Sequence, residues 1–198
     1  MPIVHTMADM GSKSEALKQE SIRRFGVERW ERSRQVIEEV WEGIRARLLA
    51  LTLPWDQVRI YQDGLPVSRK ELEIARDVAA QGSRNYQLIL ELLERGAQLM
   101  GTEDPVLLRE EYALVSAMTD AGNEAPREQA RAVYAREGPR ILKERDEFIS
   151  RRINETLKEG QVGLLFLGLL HEVDRLLLEG IEVEYLIHRL PFRASQEM

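Results

Sequence analysis

Residues 163–177 read GLLFLGLLHEVDRLL. Gly163 to Leu170 is an almost unbroken apolar run, and it leads straight into His171 and Glu172. A run of this length predicts a strand covered on both faces, which is how strands of parallel sheets read. Open parallel sheets bind ligands outside the carboxyl ends of their strands. On this reading the apolar strand is a support, and His171 and Glu172 are what it presents.

The flanks extend the pattern. Upstream, RILKERDEFISRRI (Arg140 to Ile153) places Ile141, Arg145, Ile149 and Ile153 four residues apart, on one stripe of a helix. An arginine inside an apolar stripe is either paired or snorkels outward. Paired, Arg145 is an anion or carboxylate clamp near the strand ends. This helix is predicted from about Arg127 to Glu159, interrupted at Gly138-Pro139 and stopped by Gly160. Downstream, IEVEYLI (Ile181 to Ile187) alternates, which predicts an edge strand over Glu182–Ile187 with one wet face.

Towards the N-terminus, the apolar run Pro2 to Val4 predicts a first strand near Ile3–His5, ending in His5 and Thr6 with Asp9 close behind. Trp30, Ile37, Trp41, Ile44, Leu48 and Leu51 form the stripe of a helix over Val27–Leu51, ended by Pro54. VRIY predicts a strand over Val58–Tyr61, ending in Gln62-Asp63 with a turn at Asp63-Gly64. Ser68 and Glu71 have capping-box spacing, so a helix starts there. Gly82 to Asn85 breaks it, and a second helix runs to Gly96. LMGTEDP reads as a turn or a very short strand, with a helix opening at Asp104-Pro105. Thr119 to Pro126 reads as a mobile connection.

The expected fold class is therefore α/β and helix-rich, with a small, mostly parallel sheet under a heavy helical coat. The 198 residues form one domain, 1–198, with a helical insertion around 65–140. Apolar content of 43% and charged content of 31% are globular values. A net charge of −6 argues against a nucleic-acid partner. With no cysteine, disulfides, thiolate metal sites and a cysteine nucleophile are excluded. No run approaches the ~20 apolar residues of a membrane span and no signal peptide is seen, so a cytoplasmic protein is expected.

If the strands are parallel neighbours, His5-Thr6, Gln62-Asp63 and His171-Glu172 converge on one sheet edge. Two of the chain's three histidines fall at such positions, while His188 is read as surface. The stretch ERDEFISRRINETLKEGQVGLLFLGLLHEV also resembles the C-terminal motif of the TraB family. That family belongs to a loose superfamily with Tiki-type proteases, erythromycin esterases and haem-binding ChaN-like proteins. Glu144, Arg145 and Asp146 match the motif's helical opening, and Gly168 with His171 match its Gly-x-x-His end. At the N-terminus VHTMADMGS stands in place of the family's Gly-Thr-x-His, and Gln62 or Asp63 stands in place of its second-strand glutamate.

The resemblance implies hydrolytic chemistry, with a divalent metal or a histidine base. His5, His171 and Asp9 would be the metal ligands, for zinc, manganese or cobalt. His171, Arg145 and Asp63 would be catalytic, with His171 as general base, a carboxylate such as Asp9 or Asp63 orienting it and Arg145 holding an anionic substrate group or stabilising a developing oxyanion. Gln62, Glu172 and Thr6 would contact a small-molecule or peptide substrate. The alternative is a non-catalytic ligand-binding or protein-interaction protein with a degenerate pocket. In that reading Trp30 and Trp41 line a homodimer seam instead of filling the core.

Overall fold

The computed structural model describes residues 2–3 and 14–186. Among these are four strands, β1 (Pro2–Ile3), β2 (Val58–Gln62), β3 (Gln98–Met100) and β4 (Val162–Gly168). Six helices accompany them: α1 (Ser14–Phe25), α2 (Val27–Leu49), α3 (Glu71–Ala80), α4 (Arg84–Glu94), α5 (Pro105–Asp120) and α6 (Glu124–Thr156). The strands make one parallel sheet in the order β1-β4-β2-β3. The chain is thus a helix-rich α/β fold with a small parallel sheet.

The apolar run is an interior strand, as its composition predicts. Ile3 of β1 lies opposite Gly168, and Gln62 of β2 opposite Phe166. Successive side chains of β4 enter opposite cores. Phe166 joins Trp41, Ile44 and Leu48 of α2, Ala75 of α3, and Leu88, Ile89 and Leu92 of α4. Leu167 joins Tyr61, Ile149 and Ile153 of α6, and Val173. Helices therefore cover both faces, and the strand ends are left as the open edge.

Local chemistry sets where the helices begin. The start predicted at Ser68 is three residues early: α3 begins at Glu71 with Lys70 as its N-cap, and Glu71 accepts hydrogen bonds from the backbone N–H of Ser68 and Arg69 in the turn before it. Gly82, at φ +97°, takes the left-handed turn between α3 and α4. Ser83 then caps α4, its Oγ accepting from Tyr86 N–H at 3.2 Å. Asp104 caps α5 through Val106 N–H at 2.7 Å, with Pro105 at the first helical position.

Four expectations are corrected. Residues 181–186 form no strand; the outer positions of the described sheet are held by β1 and β3. The predicted edge strand mistook an alternating extended tail for a paired one. α6 runs without interruption through Gly138-Pro139: a proline costs one hydrogen bond and a local clash, and α5 packs along the helix. The connection over Thr119–Pro126 is only Ala121 to Asn123. Pro126 sits in the first turn of α6, where its missing N–H has no partner to lose. Lastly, β4 ends at Gly168, so Leu169 and Leu170 lie outside it. On α2, Trp41 is 2% exposed and is a core residue. No helix of the described residues is long and apolar enough to cross a membrane.

Candidate functional site

Because all four strands are parallel, their carboxyl ends share one edge. β2 delivers Asp63. Past its end, Leu65 to Val67 pairs with Thr102 and Glu103 beyond β3: Thr102 and Glu103 N–H donate to Leu65 O, and Val67 N–H donates to Glu103 O. This extension carries Glu103 to the same edge. β4 delivers Gly168 and, one turn later, His171, whose N–H returns to Gly168 O at 3.3 Å. α6 crosses above with Arg145 and Asp146. Adjacent helical residues diverge by about 100°, so the two side chains reach different strand ends.

Arg145 is paired, not snorkelling. Its side chain is 6% exposed. Nε donates to Glu103 Oε2 at 3.0 Å, Nη1 to Glu111 Oε2 at 2.6 Å, and Nη2 to Asp63 Oδ1 at 2.7 Å and to Glu103 Oε1. The fork-on-fork geometry with Glu103 is the strong bidentate form. Burial works against the guanidinium charge, but the bonds and charges of Glu103, Asp63 and Glu111 outweigh it and hold Arg145 above its ordinary value. Four of its five N–H donors are committed to protein carboxylates, so in this arrangement Arg145 is a carboxylate clamp within the protein.

Glu103 is completely buried, and its Oε1 also accepts from Gly64 N–H at 3.1 Å. Burial pushes its carboxyl above the usual range; the Arg145 pair opposes this, and the neighbouring Asp63 charge adds to it.

Asp63 joins the two halves of the site. Oδ1 accepts from Arg145, and Oδ2 accepts from Gly168 N–H at 2.9 Å. His171 Nε2 lies 3.6 Å from the same Oδ2. On the ring's other side, Nδ1 is hydrogen-bonded to Asp146 Oδ1, and Asp146 Oδ2 accepts from Glu172 N–H at 2.9 Å. A carboxylate partner fixes the proton on Nδ1 and turns Nε2 towards Asp63. The His171 side chain is 5% exposed.

Of the residues expected from sequence, Asp63, Arg145 and His171 are together. Gln62 is buried beside them; its N–H donates to Thr102 Oγ1, its amide donates to Asp63 O, and its Oε1 has no protein partner. Glu172 contributes its backbone N–H, while its side chain pairs with Arg175 at 2.9 Å in the open. His5, Thr6 and Asp9 lie outside the described residues, as does His188. Since Ile3 pairs with Gly168, β1 ends at this same edge.

Three participants were missed. Asp146 sits in the motif that includes Arg145, and its adjacency was the available signal. Glu103 lies in the stretch read as a turn or very short strand; Asp104 caps the helix that follows and Glu103 turns inward. Glu111, on the far helix α5, carries no sequence signal for this contact.

Among the described residues, no group of three or more His, Asp or Glu side chains is arranged to hold a metal ion. His171 and Asp63 offer two such atoms. Two donors about 2.1 Å from one ion, at tetrahedral to trigonal angles, are roughly 3.4–3.6 Å apart. The Nε2 to Oδ2 separation of 3.6 Å falls at that value. Comparison with protein-family models, with curated proteins and with solved structures finds no match.

Proposed function

We propose that the carboxyl edge of the sheet is the site of a metal-dependent hydrolase of the kind the TraB resemblance implies, in a protein of the cytoplasm. The observation that carries this reading is His171, wedged between Asp146 on Nδ1 and Asp63 at 3.6 Å from Nε2, at the end of the most apolar strand. Asp146 supports the imidazole from behind, as carboxylates commonly do for metal-binding histidines. Asp63 and His171 would hold the ion; the sequence expectation adds His5 and Asp9, which lie outside the described residues. A bound divalent ion supplies a Lewis acid and a water that ionises near neutral pH. Arg145, itself held by Glu103, donates to Asp63 Oδ1, and Gly168 N–H steers Oδ2 towards the imidazole. Arg145 is therefore a positioning residue and not a substrate clamp.

The test is calorimetric titration of the purified, chelator-treated protein with zinc, manganese and cobalt. One ion per chain is expected. His171→Ala should abolish binding with unchanged far-UV circular dichroism, and Asp146→Asn should weaken it about 10–100-fold. An unaltered affinity in His171→Ala, or no binding of any of the three ions by the wild type, refutes the reading. The second reading, a non-catalytic pocket, draws on the enclosure of the site, because the Asp63 and His171 side chains are only 6% and 5% exposed. Ion binding without hydrolysis of any ester or peptide probe would favour it.

A further inference from the structure

We infer that two copies of this chain dock by a reciprocal exchange, in which the acidic tail of each, residues 179–186, lies in a basic, apolar groove on the first half of the other's α2. The inference is independent of the chemistry at the sheet edge. It starts from two surfaces that the fold leaves without a task.

The first is the groove. The buried residues of α2, Trp41, Ile44 and Leu48, all lie in its second half. Its first half meets α1 at Gly26, whose φ of +85° breaks the helix there. At this joint Phe25 and Val27 are 48% and 52% exposed, and Val36 further along α2 is 43% exposed. Together with Ile37, Arg29 and Arg32 they line one groove, and Glu28 is the one acid among its described lining residues. The guanidinium groups of Arg24 and Arg29 stand 5.2 and 5.1 Å from the Phe25 ring, so positive charge sits directly beside the apolar surface. Residues 23–34 hold five arginines and two glutamates, in a chain of net charge −6.

The second surface is the tail. Residues 181–186 are extended and have no strand partner. Ile181 packs against the smaller core and Leu186 against the larger, which anchors both ends. Between them Glu182, Val183, Glu184 and Tyr185 are all exposed, Tyr185 by 60%. In an extended segment Val183 and Tyr185 point to one side, and Glu182 and Glu184 to the other. The tail thus has an uncovered apolar side and an acidic side, and residues 179–186 hold three glutamates and no base.

Charge selects the occupant. A basic, apolar groove and an acidic, apolar segment stand on the same chain, and no described tail residue lines its own copy's groove. Groove against groove, or tail against tail, would set like charges together, whereas tail in groove pairs opposite ones. A two-fold axis makes that contact twice.

Sedimentation velocity over a concentration series reads the exchange. The wild type should pass from monomer to dimer as its concentration rises, and added salt should weaken the dimer. Phe25→Ser, or Val183→Ser with Tyr185→Ser, should weaken it at least about tenfold. The charge reversals Arg29→Glu/Arg32→Glu and Glu182→Arg/Glu184→Arg should each do the same, by placing like charges in both contacts. Mixing the two reversed proteins should restore a dimer, because one contact is then wild type and the other has both charges exchanged. All the substituted side chains are exposed, so far-UV circular dichroism should not change. A wild type that stays monomeric at every concentration overturns the proposal. So does a dimer indifferent to the two reversals, or a mixture that stays monomeric. Binding to phosphatidylserine vesicles that needs Arg29 and Arg32, by a protein that remains a monomer, would assign the groove to a lipid surface and also overturn it.

Discussion

Replacing Arg145 by Met tests whether the buried ion cluster is organised as described. Methionine keeps an unbranched stem of similar reach, so little cavity is created and the loss is mainly electrostatic. Of the three acids released, Glu111 is 28% exposed in its side chain and can turn to water. Asp63 and Glu103, at 6% and 0%, cannot. Breaking a buried ion pair by removing one partner costs about 3–5 kcal/mol. Two stranded carboxylates place this variant at the upper end near pH 8. The pH dependence follows from Glu103. Its carboxyl is already raised in the folded protein above the ordinary 4.5 by burial. Between those two values the folded state binds the proton better than the unfolded state, so stability falls as pH rises through that window. Removing Arg145 takes away the interaction that opposed the shift, and the window widens upward. The penalty of Arg145→Met should therefore be largest at pH 8 and should shrink towards pH 5, as the buried acids take up protons. Adding Glu103→Gln should recover part of the loss at pH 8. Urea unfolding followed by tryptophan fluorescence is the assay, with Trp41 buried in the larger core as reporter. A penalty below about 1 kcal/mol at pH 8, where about 3–5 is expected, refutes the reasoning. So does a penalty that grows as the pH is lowered.

Two further substitutions probe the scaffold. Phe166→Ala should cost about 3–5 kcal/mol and Leu167→Ala about 2–3 in urea unfolding, the second less because Leu167 is 9% exposed; costs near zero for both would mean that β4 is not an interior strand. Gly101→Ala would place a Cβ 2.6 Å from Glu71 Oε1 and 2.8 Å from Val67 Cα. Because Glu71 holds the Ser68 and Arg69 N–H groups before α3, a loss of about 1–3 kcal/mol is expected, and an unchanged thermal midpoint would show that this close approach is not real.

Much of the scaffold was legible in the chain because it depends on neighbours along it. Consecutive apolar residues from Gly163 onwards need cover on both faces, and that alone makes β4 interior. Four-residue spacing puts Ile141, Arg145, Ile149 and Ile153 on one buried stripe, and the turn bond to Glu71 and the cap at Asp104 are contacts over two or three residues. Local reading failed where a local signal had two outcomes. Gly138-Pro139 is a break in isolation but is carried within α6 beside α5, and the alternating tail at 181–186 has no strand partner. The site itself belongs to tertiary structure. Arg145 meets Glu103 and Asp63 across 42 and 82 residues, and Asp63 meets Gly168 across 105. No periodicity spans such separations. Residue type says that a buried arginine requires acids, but only the parallel register of β2, β3 and β4 decides which acids arrive. That register turned Glu103 inward while Asp104 capped the helix. It converted Arg145 from an expected anion clamp into the residue that holds Asp63 facing His171.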